Sequence, residues 1–306
     1  MKKVVVIIAV LAGICKMNAQ QDVMFSQYMF NGLFLNPAYA GSHKYFSSSL
    51  LHRSQWLGFD GAPQTTILAI DGPLLDQKMG VGLLLAHDKI GVTNQTDVYA
   101  NYSYMVQIGE GKLSFGIKGG VSNYEAKVSD LTVWDDNDNS FSGVTKSLWL
   151  PKFGLGTFYF THNWYAGFSI PTLIAYDPNH NFDLSLESSS FIRKHYFFNS
   201  GYVFTINEKL KLKPSLLLKF QPAAPLQADF NLNAMYIDII ALGISYRTND
   251  AVSLMVEYQA NQRFRVGYAY DLTTSKISSY TSGTHEIMIG FDFGKDIIKI
   301  KTPRFF

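Results

Sequence analysis

Residues 209–220 read KLKLKPSLLLKF. Lys209, Lys211, Lys213, Ser215 and Lys219 alternate with Leu210, Leu212, Leu216, Leu218 and Phe220. Successive side chains of an extended chain point to opposite faces, so the segment predicts a strand with lysines on one side and leucines on the other. Residues 263–271 repeat the pattern, with Phe264, Val266, Tyr268 and Tyr270 on one face and Arg263, Arg265, Gly267, Ala269 and Asp271 on the other. In 284–293, Ile287, Ile289, Phe291 and Phe293 alternate with Glu286, Gly290 and Asp292. Segments 97–107, 112–121, 229–236 and 252–259 read alike.

Working outward, about fourteen such segments fill 44–294, most of them roughly 10 residues, the length a tilted strand needs to cross a bilayer. They lie near 44–53, 63–71, 79–88, 96–107, 112–123, 150–161, 163–171, 191–206, 209–221, 226–237, 239–248, 250–260, 262–272 and 283–294. Tight connections at Ile108–Gly111, His162-Asn163, Asn207-Glu208 and Asn261 are interleaved with longer ones at 124–149, 172–190 and 273–282. Short periplasmic turns and long outer loops are the pattern of outer-membrane barrels. It predicts an all-β, antiparallel transmembrane barrel with an even strand number and both termini periplasmic. Gln221–Pro225 and Thr248–Asp250 are short where long connections are expected. A secreted β-sandwich or propeller also alternates. Its strands are usually shorter, about five or six residues, and no covering helix or second sheet is evident in this sequence.

The first nineteen residues supply the compartment. Lys2 and Lys3 precede an apolar run from Val4 to Ile14, and Asn18-Ala19 offers a cleavage point before Gln20. That is the form of a secretory signal peptide, too short to span a bilayer as a helix, which needs about 20 apolar residues. A lipoprotein reading of Cys15 wants a small residue before the cysteine, and Ile14 stands there. Cleavage removes Cys15, the one cysteine, and with it any disulfide or cysteine-held metal. Losing Lys2, Lys3 and Lys16 takes Lys plus Arg from 26 to 23 against 24 Asp plus Glu, so the net charge moves from +2 to −1. Such a balance gives no reason to expect a nucleic-acid partner. The aromatic content, 15%, suits strands and the aromatic girdles of membrane barrels. After residue 20 no long apolar run occurs, so a membrane location requires a closed barrel, the other structure that satisfies every backbone group in lipid.

Residues 20–43, QQDVMFSQYMFNGLFLNPAYAGSH, do not alternate. Asn36-Pro37 marks a turn, and the segment is expected to pack at the periplasmic mouth or in the lumen. The expected organisation is a signal peptide at 1–19, this segment at 20–43, the barrel at 44–294 and a periplasmic tail at 295–306.

The stretch FSQYMFNGLFLNPAYAG, Phe25 to Gly41, resembles the N-terminal signature of the PorP/SprF family of outer-membrane proteins. The resemblance continues through Arg53-Ser54-Gln55-Trp56, Gly61-Ala62-Pro63, the glycine-rich Met79–Leu85, His285–Phe293 and the terminal Pro303-Arg304-Phe305-Phe306. It implies an integral outer-membrane barrel of the type IX secretion and gliding machinery. Such a barrel would bind a large secreted protein, often a surface adhesin, through that protein's C-terminal region, for its export or retention on the cell. Other type IX secretion components and outer-membrane lipid are the further implied partners. The signature residues Phe25, Ser26, Gln27, Tyr28, Asn31, Asn36, Pro37, Ala38, Tyr39, Gly41, Arg53 and Trp56 are the candidate partner-binding positions, although packing explains Arg53 and Trp56 equally well. The alternative reading is a porin or small-solute channel, which an open lumen would favour and a lumen filled by residues 20–43 would disfavour.

No catalytic constellation stands out. His43, His52, His87, His162, His180, His195 and His285 form no H-x-H or H-x-x-x-H pair, so no zinc site is suggested. Trp134–Ser140, WDDNDNS, resembles half a calcium loop, but from Asp135 the positions that an EF-hand gives to Gly and Glu are Ser140 and Lys146. A solvated acidic loop is the expected reading, with no cofactor. The basic faces at Lys209, Lys211, Lys213, Arg263 and Arg265 should point into the lumen, since charge facing lipid is costly, and pair with acids such as Glu257 and Asp229.

Overall fold

Fourteen antiparallel strands close into one barrel in the computed structural model, which describes residues 24–75, 77–127, 146–175, 194–222 and 224–294. The strands are β1 (Phe46–Ser54), β2 (Gln64–Leu74), β3 (Met79–Ile90), β4 (Thr93–Ile108), β5 (Gly111–Ala126), β6 (Lys146–Phe160) and β7 (Trp164–Ala175). They continue with β8 (Tyr196–Tyr202, resuming at Phe204–Thr205), β9 (Leu210–Phe220), β10 (Gln227–Tyr236), β11 (Ile240–Arg247), β12 (Ala251–Gln259), β13 (Phe264–Thr273) and β14 (Thr284–Phe293). Each pairs with its neighbours in sequence. The seam is β1 against β14, in register from Phe46↔Phe293 to Ser54↔His285. Closure leaves no sheet edge, so every strand finds a partner on both sides.

The predicted alternation maps onto two faces. Leu232, Leu242, Ile287, Ile289 and Phe291 point outward and are exposed, whereas Asp229, Asn231, Asn233, Glu286 and Asp292 point inward and are buried. An apolar outer band with a polar interior is the arrangement that lipid demands of a spanning barrel. No helix among the described residues is long and apolar enough to cross a membrane.

The two ends differ. At one end the connections are 75–78, 109–110, 161–163, 206–209, 237–239 and 260–263, each of four residues or fewer. Local chemistry fixes them. Asn207 Oδ1 accepts from the amides of Lys209 and Leu210, and Asn261 Oδ1 accepts from those of Arg263 and Phe264. Such side-chain turns are what Asn offers the backbone. At the other end lie 55–63, 127–145, 176–195 and 274–283, with shorter links between them.

Several expected boundaries are corrected. The connection expected at 89–95 is continuous strand with a two-residue turn at Gly91-Val92, because the ladder from Met79↔Tyr104 runs on to Ile90↔Thr93 and Gly91 takes the positive φ that so tight a turn needs. Strands β4 and β5 reach 16 residues each, whereas β1 has 9 and β11 has 8, so the wall is tallest at the long-loop end beside β4 and β5. β8 breaks at Val203, just after Tyr202, whose register position faces Pro214, which has no N–H to give the ladder. The expected signal peptide, the Trp134–Ser140 run, His180 and the 295–306 tail lie outside the described residues.

Candidate functional site

The lumen is occupied by the chain's own N-terminal segment. From Met24 to Gly41 it forms a 3-10 turn (Tyr28–Phe30), one turn of α-helix (Gly32–Leu35) and a second 3-10 turn (Pro37–Tyr39). Phe25, Gln27, Leu33, Leu35, Asn36, Ala38 and Ala40 are each at most 2% exposed. The segment therefore lies within the barrel and not merely at its mouth.

The end nearest Met24 is held by charge. The Glu286 carboxylate accepts from the amides of Ser26, at 2.7 Å, and Gln27, at 3.0 Å. Ser26 Oγ donates to Asp271 at 2.6 Å and lies 3.2 Å from Ser253 Oγ. The Arg53 guanidinium bridges Asp271, at 2.8 Å, and Glu286. Arg53 and Glu286 are directly opposed across the β1–β14 seam, so one ion pair joins the closing strands to the segment inside. Arg247 bonds Asp229, Asp250 and Ser26 Oγ, and Lys219 bonds Asp229 at 2.9 Å. Charge-assisted bonds of this kind are roughly twice as strong as neutral ones. We call this group the clamp.

The end nearest Gly41 is held by close backbone approach. A Cβ on Gly116 would strike the Ala38 backbone, and one on Gly80 would strike the Ala40 carbonyl. The Ala40 carbonyl accepts from Ser103 Oγ at 2.7 Å. Asn36 caps its own turn by accepting from the Ala38 amide, and its Nδ2 donates to the Thr157 carbonyl at 2.9 Å. Ser169 Oγ donates to the Leu35 carbonyl at 2.6 Å. The Gly41 amide reaches Asp71 at 3.0 Å, with Gly41 at φ +70, where only glycine is comfortable. We call this group the seat.

Between clamp and seat the packing is apolar. Leu51, Ile67, Leu84, Leu217, Met255 and Met288 point inward and are buried with Phe25, Met29, Leu33 and Leu35 in two clusters. Phe25 and Phe34 meet edge to face with centroids 5.0 Å apart. Tyr28 Oη bonds Asn231, and Asn233 Nδ2 contacts Met29 Sδ at 2.8 Å. A gap of about 10 Å³ lies among Phe25, Tyr28, Asn31, Phe34, Leu51 and Ile67, and a second of about 10 Å³ beside Tyr39, Tyr45 and Arg265. Each is on the order of one water.

Eleven of the twelve expected site residues belong to this assembly. Trp56 is the exception. Its amide bonds Thr284 Oγ1 at the long-loop end, at a positive φ, and its side chain is half-buried. Of the basic residues, Lys213, Lys219 and Arg265 point inward, with Arg265 on Asp292 at 2.8 Å and Lys219 on Asp229. Lys211 sits at the short-turn rim on Asp238. Of the acids expected as partners, Asp229 pairs with Lys219 and Arg247, while Arg265 is paired with Asp292 of the neighbouring β14. Sequence reading missed Leu217 and Met288, which carry the apolar contact. Their signal is visible in retrospect, since both are apolar residues on the polar phase of their strands. Among the described residues no group of three or more His, Cys, Asp or Glu is placed to hold a metal ion.

Residues 17–291 match the family described as "Type IX secretion system membrane protein PorP/SprF". No match to a curated protein was found. Among solved structures the chain is similar to the CymD monoaromatic hydrocarbon channel, at 11% identity and TM-score 0.51, covering 87% of this chain and 93% of that one. It is similar to the Ralstonia pickettii toluene transporter TbuX at 10% identity and TM-score 0.51, covering 86% and 93%. At these identities the likeness shows the fold alone, an outer-membrane β-barrel.

Proposed function

Because the chain belongs to the PorP/SprF family of type IX secretion system membrane proteins and is an integral outer-membrane barrel, we propose that it is a non-enzymatic subunit that binds an exported protein for its secretion or its retention on the cell surface. The short-turn end is then periplasmic, as in other outer-membrane barrels. The single observation that carries the reading is the filled lumen. A diffusion porin keeps a polar, water-filled interior. This interior buries Leu51, Ile67, Leu217 and Met288 against a protein segment, which favours a rigid docking platform. The similar hydrocarbon channel and toluene transporter suggest solute passage instead, and that use would require the segment to move aside.

The test is a pull-down of the tagged barrel from outer membranes, paired with comparison of exported proteins in wild-type and deletion strains. A large exported protein is expected to co-purify and to be lost from the surface or medium of the deletion strain. Recovery of none, with export unchanged, contradicts the proposal.

A further inference from the structure

We infer that the N-terminal segment enters the barrel from the cell-surface side, so that its leading end at Met24 faces the exterior, contrary to the expected periplasmic N-terminus. The inference rests on the orientation proposed above. It begins from where the clamp sits. Arg53 is one residue from the long-loop end of β1, Asp271 two from that of β13, Glu286 two from that of β14, and Ser253 two from that of β12. Arg247 is the last residue of β11, at the same end. All five engage Ser26 directly or through its carboxylate partners.

The seat sits at the opposite end. Asp71 is three residues from the short-turn end of β2, and Gly80 is the second residue of β3. The chain thus descends through the lumen from Met24 to Gly41 and starts β1 at the short-turn end.

A return to the short-turn end would need a nearly fully extended chain. With cleavage after Ala19, six residues precede Ser26, which bonds Asp271, and extend at most about 21 Å. From Asp271 to Phe264 at the short-turn end is seven residues of strand, about 23 Å, or about 18 Å along the axis at a tilt of ~40°. The inward residues Leu51, Ile67, Leu84, Leu217 and Met288 are each at most 2% exposed, so the described segment covers the wall on which they stand. The residue of this end nearest the surface-side mouth is then Met24, which is half-buried, while Phe25, Ser26 and Gln27 behind it are each at most 2% exposed.

Single cysteines test it, since Cys15 is the only native one and lies in the expected leader. Met24→Cys, Ser279→Cys in the 274–283 connection and Lys209→Cys in a short turn are treated on intact cells with a membrane-impermeant maleimide. Labelling at 24 and 279 but not 209 is expected. Labelling at 209 and not at 279 overturns the orientation on which the inference stands. Labelling at 279, with position 24 reached only after the membrane is opened or not at all, overturns the threading itself. A second measurement needs no reaction at a half-buried site. An epitope inserted directly before Met24 should bind antibody on intact cells, and binding only after permeabilisation overturns the inference.

Discussion

The two ends of the luminal segment are held by different physics. At the clamp, Ser26 and Gln27 are gripped through charged side chains contributed by β1, β11, β13 and β14, with the Ser253 hydroxyl of β12 beside them. At the seat, Asn36–Gly41 lies so close to the wall that Gly80 and Gly116 admit no side chain. Charge tolerates small shifts and depends on every partner being present. Close packing depends on volume and is indifferent to charge. One segment is thereby tied at the seam by electrostatics and at the floor by sterics, so damage at one end should leave the other in place.

Substitutions separate the two. Arg53→Ala should have the largest effect, because it strands Glu286 and Asp271 as buried carboxylates without their bridging cation. Breaking a buried pair costs about 3–5 kcal/mol, read as a lower urea midpoint of the heat-modifiable folded form. A midpoint within error of wild type would show that the clamp is not held by that ion. Met288→Ala removes the inward methionine between clamp and seat and is expected to cost about 2–5 kcal/mol in the same assay. Gly116→Ala attacks the seat, where a forced methyl costs about 1–3 kcal/mol. Labelling at Met24 should persist in that variant, since the clamp is intact. Ser169→Ala takes one donor from the Leu35 carbonyl and should cost about 1 kcal/mol. Ile289→Ala, one residue from Met288 but facing outward, should shift the midpoint by about 0.5 kcal/mol or less. If Ile289→Ala equals Met288→Ala, the inward face has no special part in stability.

The outer wall was legible in the sequence because lipid imposes one rule on every strand. Leu232, Leu242, Ile289 and Phe291 each obey it, and period-2 reading found the strand number and most turns. The extent of β3 and β4 was not legible, because above the lipid-facing band Thr93–Asp97 pairs through polar side chains such as His87 with Thr96, and polar residues read as loop. The luminal segment stands out in the sequence because residues 20–43 break the alternation, yet its course was not legible. Its partners are separated in sequence by up to 260 residues, as Ser26 is from Glu286, and no local pattern encodes so distant a contact. The inward apolar residues Leu217 and Met288 were the local trace of it. An aqueous lumen has no use for them, and they become intelligible only once Leu35 and Phe25 are placed beside them.

The central claim is that this barrel is sealed by its own chain, and the direct measurement is conductance of the purified protein in a planar bilayer. The wild type should show no steady conductance, while a variant lacking residues 24–41 that keeps its heat-modifiable fold should show stable open steps. A wild-type protein with steady, ohmic conductance equal to that of the deletion variant would contradict the account.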